Sequence, residues 1–174
     1  MRFILIRGLG RDQLHWQPLL ECIRQEYPNA TVETPDLPGT GILFQQKSPT
    51  RIADYIPILA EQLTASNEPA TLVGLSLGGM IALEWAYQSP QTFSNLVLIN
   101  SSSRLNHFFQ RLKLHQVICY PEILLSQNTR IKEQATYRLT CNSRPVNPAI
   151  IDHWVEVQNL HPVKLTNQLR QLLA

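Results

Sequence analysis

Two hydrophobic periods alternate along the first hundred residues of the chain. Four short runs are almost continuously apolar or β-branched, which is typical of strands in a parallel sheet that is covered on both faces. They lie at residues 3–7, 31–34, 71–75 and 96–99. Between these runs, apolar residues recur every three or four positions, which predicts helices. The alternation favours right-handed βαβ units and an α/β fold with a parallel sheet of about four strands and flanking helices.

Two of the predicted helices have further features. Ser48-Pro49 predicts an N-cap and first helical residue ahead of an apolar stripe. Pro57 lies inside that stripe and predicts a kink. Residues 77–88 are apolar nearly all round, so this helix is expected to be buried.

No convincing strand is indicated after residue 103. Apolar residues at helical spacing predict five helices there, including one over residues 105–112, one that starts at Asn147-Pro148 and a last one marked by four leucines. These leucines are Leu165, Leu169, Leu172 and Leu173. The sequence therefore predicts an α/β core over residues 1–102 and an α-helical segment over residues 103–174.

The small net charge of the chain hides a difference between these two parts. Residues 1–102 carry six basic and nine acidic side chains, whereas residues 103–174 carry nine basic and four acidic ones. A solvated helical surface explains the basic part, and attraction of an acidic substrate or carrier protein is the alternative. Because the basic residues are spread out and no recognition motif accompanies them, we expect no nucleic-acid partner.

Composition also indicates a compartment. The three cysteines (Cys22, Cys119 and Cys141) are odd in number and lack metal-ligand spacing, which favours a reducing, cytoplasmic setting. The apolar run at residues 3–6 leads into a glycine-rich segment, so it predicts a strand rather than a signal peptide. No run approaches the roughly 18 apolar residues of a membrane span, and we expect none.

One stretch carries the clearest chemistry. Gly74-Leu75-Ser76-Leu77-Gly78-Gly79 joins a predicted strand to a predicted helix and fits the pattern Gly-x-Ser-x-Gly. A nucleophile on such a sharp turn has strained backbone angles, and Gly74 and Gly78 must be small because strand and helix backbones pass close together. The turn would present the Ser76 hydroxyl beside the unpaired N–H groups of the helix. A glycine-rich connection that only packs or cradles a phosphate is the alternative, although a P-loop lysine is absent.

The assembled pattern resembles the α/β-hydrolase fold with a helical cap. Besides the Ser76 motif, Arg7-Gly8-Leu9-Gly10 is similar to the His-Gly-x-Gly loop of that family, and Asp36-Leu37-Pro38-Gly39 is similar to its Asp-x-Pro-Gly turn. The resemblance covers residues 3–102, and it implies that residues 103–174 form the cap. Among capped members the chain is similar to small carboxylesterases such as the pimeloyl-acyl-carrier-protein methyl esterase.

The resemblance implies a serine hydrolase that acts on small-molecule carboxylic esters or thioesters through an acyl-enzyme on Ser76, without a cofactor or metal. The backbone N–H groups of Leu9 and Leu77 would form the oxyanion hole. Arg7 stands where many members have histidine, and we assign it no catalytic role. Asp36 is expected in a structural turn at least as often as in a site.

The family places the acid and the histidine of its triad after the cap, on strands that are not indicated before Ala174. His161, which precedes Pro162 in a turn, is the best substitute base. For His15 we expect a surface or capping role, and similarly for His107 and His115; His153 does not face its neighbour Asp152 on a helix. A truncated or non-catalytic fragment with a binding or remnant role is therefore the alternative function.

The same shortage of strands affects the sheet. An apolar strand at residues 96–99 without a neighbour would form an open edge, and such edges pair with other chains. The sequence therefore predicts self-association, or a partner that supplies the missing strands.

Overall fold

The computed structural model describes residues 1–102, 119–141 and 145–174. The chain forms two compact units, of which the first comprises Met1–Ser103 with Val163–Ala174 and the second comprises Arg104–Pro162. The predicted helix over residues 105–112, together with His107 and His115, lies outside the described residues.

The first unit is built on a four-stranded sheet with all strands parallel, which confirms the predicted architecture. The strands are β1 (Arg2–Ile6), β2 (Thr31–Glu33), β3 (Ala70–Leu75) and β4 (Phe93–Ile99), in the order β2-β1-β3-β4. Ile4, Leu5 and Ile6 of β1 are fully buried, as expected for a strand covered on both faces. The carboxyl ends of β1, β3 and β4 therefore meet at one edge, where α/β folds place their sites.

Helices cover both faces of this sheet. They are α1 (Gln17–Glu26), α2 (Tyr55–Ala60) and α3 (Leu77–Gln88). Short 3₁₀ helices span Gln13–Trp16, Gly41–Leu43, Ile52–Asp54 and Pro90–Thr92. Leu5 and Val73 pack with α1 on one face, whereas Ile4, Ile6 and Leu72 pack with α2 and α3 on the other. Alternate residues of β1 and of β3 thus contribute to two hydrophobic clusters.

The segment between β2 and β3 differs from its predicted form. Ser48 does not start a helix, because it is fully buried in a loop and its hydroxyl donates to the carbonyl of Pro38 at 2.6 Å. The helical part begins later, with the 3₁₀ helix Ile52–Asp54 and then α2. Pro57 lies in the first turn of α2, where its missing N–H interrupts no helical hydrogen bond. The proline therefore gives no reason for the kink that was predicted there.

The described part of the second unit is helical, as predicted. It contains α4 (Cys119–Leu125), α5 (Thr129–Thr140) and α6 (Pro148–Leu160). The start of α6 is confirmed, since the side chain of Asn147 accepts the N–H of Ala149 at 3.0 Å. Tyr137 and Trp154 join α5 to α6 with their ring centroids 5.9 Å apart. No helix among the described residues of the chain is long and apolar enough to cross a bilayer.

The last helix, α7 (Leu165–Leu173), lies in the compact unit of the sheet. The compact units therefore divide the chain differently from the boundary expected at residue 102, and the assignment of a cap domain stays a prediction. The four leucines that marked this helix are 47–75% exposed, while Asn167 and Gln171 are buried. The polar side faces inward because loop backbone groups supply hydrogen-bond partners for both amides.

One edge of the sheet, formed by β4, is open among the described residues. In the described part of the chain β4 pairs with β3 alone, and Val97, Leu98 and Ile99 are 36–44% exposed. An apolar strand that is open on one edge is a site for pairing with another chain.

The prediction that α3 is buried is wrong in part, because Leu83 and Tyr87 are exposed.

We expect this chain to self-associate through β4, with a mass in sedimentation equilibrium that rises with concentration. Val97→Lys places a charge on the open strand and should shift the population toward the monomer. Leu169→Lys, at a similarly exposed leucine of α7, is the matched control. A monomer at all concentrations, or an equal effect of both substitutions, would contradict pairing through β4.

Candidate active site

Ser76 occupies the sharp turn between β3 and α3. Its backbone has φ 55° and ψ −117°, a conformation that non-glycine residues rarely adopt. Hydrogen bonds hold the residue on both sides: its N–H donates to Ile99 at 3.0 Å, and its carbonyl accepts from the N–H of Gly79 at 2.9 Å and of Met80 at 3.2 Å. The hydroxyl of Ser101 donates to the same carbonyl at 3.0 Å. The predicted strained turn is therefore present, and its strain is held by the surrounding structure.

Gly74 and Gly78 lie where three backbones pass close together. A Cβ atom at Gly74 would lie 2.4 Å from the carbonyl oxygen of Gly78, and one at Gly78 would lie 2.2 Å from that of Ile6. Both distances are below any normal contact and both involve backbone atoms, which cannot move aside cheaply. The small residues of the motif thus allow β1, β3 and α3 to approach at the turn.

The loop after β1 lies directly against Ser76. It forms a turn in which the N–H of Arg11 donates to the carbonyl of Gly8 at 3.2 Å. A Cβ atom at Gly8 would lie 3.0 Å from the Cβ of Ser76. Leu9 packs on the same hydrophobic cluster as Leu77, which is the first residue of α3. The structure therefore gathers the predicted nucleophile and both predicted oxyanion residues at the carboxyl ends of β1 and β3.

Asp36 is buried in the loop after β2 and holds that loop in place. Its carboxylate accepts from the backbone and side-chain nitrogens of Gln13 at 2.7 and 3.1 Å and from the N–H of Ile42 at 3.0 Å. Gln62 bonds both the N–H and the carbonyl of Asp36 at 2.9 Å. Burial raises the pKa of this carboxyl, which the hydrogen bonds partly offset. Of the two roles that the sequence left open for Asp36, these contacts favour the structural one.

A buried cluster follows the turn of Gly8. The ring of His15 lies 2.9 Å from the carboxylate of Asp12 through Nδ1 and 2.9 Å from the guanidinium of Arg11 through Nε2. Because a guanidinium can only donate, Nε2 accepts, and Nδ1 carries the proton of the neutral ring. Burial, with a smaller contribution from the Arg11 charge, lowers the pKa of His15 from 6.5 to about 4. Arg7 stacks 4.6 Å above the ring of Trp16, which fits the non-catalytic role expected for it.

His15 therefore has one of the two roles expected for it. The surface role is wrong, since the residue is buried. The capping role is right in a supporting form: Asp12 is the N-cap of the 3₁₀ helix Gln13–Trp16 and accepts the N–H of Leu14 at 3.1 Å, and Nδ1–H of His15 donates to the same carboxylate. Its only acceptor nitrogen is occupied by Arg11, so His15 is a structural histidine rather than a base.

The other two histidines of the described residues, His153 and His161, lie in the second unit. His153 is on α6, and His161 follows α6 with its N–H donating to Val157 at 3.0 Å. The assignment of His161 as a base stays a prediction. No group of three or more His, Cys, Asp or Glu side chains within residues 1–102, 119–141 and 145–174 is arranged to hold a metal ion.

Sequence reasoning missed three polar residues around this site. Ser101 supports the carbonyl of Ser76, and Ser48 and Gln171 join the loops beside it. For Ser101 a signal existed, because it follows the last strand at the carboxyl edge of the sheet. The burial of Gln171 had no local signal, since its partners lie 123–161 residues away along the chain.

The strain at Ser76 predicts an unusual order of stabilities. Glycine tolerates φ 55°, whereas alanine is strained there. The free energy of unfolding of Ser76→Gly should therefore exceed that of Ser76→Ala by about 1–2 kcal/mol, even though glycine gives the unfolded chain more conformational entropy. Urea denaturation measures the difference. At Ser89, where φ is −136°, the order should reverse. Equal stabilities of the two Ser76 variants would contradict the strained turn.

The lowered pKa of His15 predicts a loss of stability in mild acid. The unfolded chain binds a proton near pH 6.5 that the folded chain binds only near pH 4, so stability present above pH 6.5 is lost as the pH falls through this window. The expected loss is on the order of 3 kcal/mol. Urea denaturation from pH 7 to 4 should show a shallower dependence for His15→Gln. The same slope in both proteins would contradict a buried neutral His15.

Comparison with known proteins gives the family. The model of the alpha/beta hydrolase family matches residues 3–157. A pimeloyl-[acyl-carrier protein] methyl ester esterase of Aliivibrio salmonicida is 35% identical over 101 residues, which make up 58% of this chain and 36% of that protein. This chain therefore matches about a third of the length of that curated relative.

Solved structures share the fold over nearly the whole chain. A hydrolase from Pseudomonas aeruginosa PA01 superposes with a TM-score of 0.67 and 19% identity, covering 99% of this chain and 63% of that one. A structure from work on carboxylesterases of Nitrososphaera gargenis gives a TM-score of 0.65 and 17% identity, covering 97% and 61% of the two chains. With a family model that spans most of its length and a sheet of the matching fold, this chain belongs to the alpha/beta hydrolase family.

Proposed function

We propose that this chain carries the nucleophile of a serine hydrolase that acts on carboxylic esters or thioesters through an acyl-enzyme on Ser76. The observation that carries the proposal is the conformation of Ser76, with φ 55° and ψ −117° at the turn from β3 into α3. Such strain persists only where the surroundings enforce it, and it is concentrated at functional sites. The turn of Gly8 lies against the same residue, as an oxyanion loop requires.

The proposed chemistry has two steps. In the first, Oγ of Ser76 gives its proton to a base and attacks the carbonyl carbon, and the alcohol or thiol leaves with a proton. In the second, water attacks the acyl group and releases the acid together with free Ser76. The N–H groups of Leu9 and Leu77 would bind the negative oxygen in both steps, at roughly 3–4 kcal/mol for each donor.

The backbone around the proposed oxyanion hole supports these roles. Within the described part of the chain, neither the Leu9 N–H nor the Leu77 N–H has a hydrogen-bond acceptor. Leu77 is the first residue of α3, so its N–H is one of those that a helix leaves without an intrahelical partner. The positive end of the helix dipole adds attraction for a developing negative charge.

Ester substrates are supported by the relatives. The Aliivibrio protein is named for a methyl ester, and one of the solved structures comes from work on carboxylesterases. By analogy the substrate of this chain is a small-molecule ester or thioester.

A cytoplasmic location is part of the proposal, because three cysteines without metal-ligand spacing favour a reducing compartment. We retain His161 as the candidate base within this sequence, since the acceptor nitrogen of His15 is bound to Arg11.

A non-catalytic member of the family, with a binding or remnant role, is the second candidate. One observation favours it: within the described residues, the Ser76 hydroxyl has no hydrogen-bonded partner, whereas a nucleophilic serine needs a base in reach. The two candidates differ in whether Ser76 reacts.

A fluorophosphonate probe separates the two candidates, because it labels only activated serines. We expect labelling of the wild-type chain, located on the Ser76 peptide by mass spectrometry, and none in Ser76→Ala. Ser89→Ala, at a half-buried serine after α3, is the matched control and should label as wild type. A wild-type chain that stays unlabelled while folded would contradict the hydrolase and favour the non-catalytic member.

A further inference from the structure

We propose that Gln171 of α7 is a positioning residue for the oxyanion loop. The inference rests on the proposed function, in which the Leu9 N–H binds the developing oxyanion. Gln171 is 2% exposed, and its Oε1 accepts the N–H of Gly10 at 2.9 Å. Gly10 lies in the turn from Gly8 to Arg11, directly after Leu9. A side chain 161 residues further along the chain thus holds the loop that touches Ser76.

The other end of the Gln171 amide is fixed as well. Its Nε2 donates to the carbonyl of Pro38 at 3.3 Å and to the hydroxyl of Ser48 at 3.2 Å. That hydroxyl in turn donates to Pro38 at 2.6 Å. Because the amide group is planar, bonds at the nitrogen also set the direction of the oxygen. Gln171 therefore connects the loop after β1 to the loop after β2 in one defined orientation.

Asn167, one helical turn earlier, anchors α7 without reaching the oxyanion loop. Its Oδ1 accepts from the N–H of Ser48 at 3.0 Å, and its Nδ2 donates to the carbonyl of Gln46 at 2.9 Å. Arg170 adds a bond from Nε to the Ser48 carbonyl at 2.5 Å. These contacts fix the helix on the loop after β2. Asn167 and Gln171 are thus similar buried amides that differ in their contact with Gly10.

The orientation of this turn matters for the proposed reaction. The N–H of Gly10 belongs to the peptide group that follows Leu9, so its acceptor fixes a peptide plane next to the proposed donor. A donor stabilises an oxyanion only when it lies about 2.7–3.1 Å from it. A displacement of about 1 Å at such a site can reduce the rate on the order of 100-fold. Gln171 would act through this geometry without touching the substrate.

The test compares Gln171→Met with Asn167→Leu, which both remove a buried amide and nearly keep its volume. Two quantities are measured at a temperature where both variants are folded: the second-order rate of fluorophosphonate labelling at Ser76, and the exchange rate of the Gly10 amide proton by NMR. We expect Gln171→Met to lower the labelling rate roughly 10- to 100-fold and to accelerate Gly10 exchange. Asn167→Leu should reduce thermal stability but leave both quantities close to the wild type.

Equal labelling rates in the two variants, or unchanged Gly10 exchange in Gln171→Met, would overturn the positioning role. If Gln171→Met does not fold, Gln171→Asn takes its place, because it keeps a buried amide that is one methylene too short to reach Gly10. A lowered labelling rate with faster Gly10 exchange then supports the role, and wild-type values of both overturn it. If the wild-type chain itself is not labelled, the proposed function fails. Gly10 exchange then decides by itself whether Gln171 holds the loop.

Discussion

The close approach of three backbones at the carboxyl end of the sheet is the constraint on which the site depends. β1, β3 and α3 meet where Gly74 and Gly78 leave no room for a side chain. The chain can turn from strand to helix there only if Ser76 takes a left-handed, strained conformation. The same approach brings the loop of Gly8 against Ser76. Packing of the fold and geometry of the candidate site are therefore one feature of the molecule.

Buried polar groups hold the loops around this centre. Asp36 fixes the loop after β2, Asp12 with the support of His15 caps the helix that follows the loop after β1, and the amide of Gln171 joins the two loops. Each of these groups has partners, which is the condition under which buried polar groups rigidify a protein rather than destabilise it. Loops without regular secondary structure are in this way given fixed positions, as an oxyanion loop requires.

The sequence was sufficient for the features that depend on local pattern. Strand runs, the helix from Leu77 to Gln88 and the Ser76 turn follow from hydrophobic period and from glycine spacing, and the structure has them. The inward side of α7 could not be predicted, because its leucines suggest the opposite side and the partners of Gln171 come from distant loops. Ser48 failed for the same reason: an N-cap signal is local, whereas its hydroxyl bonds to Pro38 through the tertiary fold.

We propose that the backbone N–H groups of Leu9 and Leu77 form a preformed oxyanion hole beside Ser76. A crystal structure of the chain after reaction with a phosphonate ester tests it most directly. We expect phosphorus on Oγ of Ser76 and the phosphonyl oxygen about 2.7–3.1 Å from both backbone N–H groups, with the Ser76 backbone unchanged. A phosphonyl oxygen directed to solvent, a backbone that relaxes to ordinary angles, or a modified residue other than Ser76 would contradict the claim.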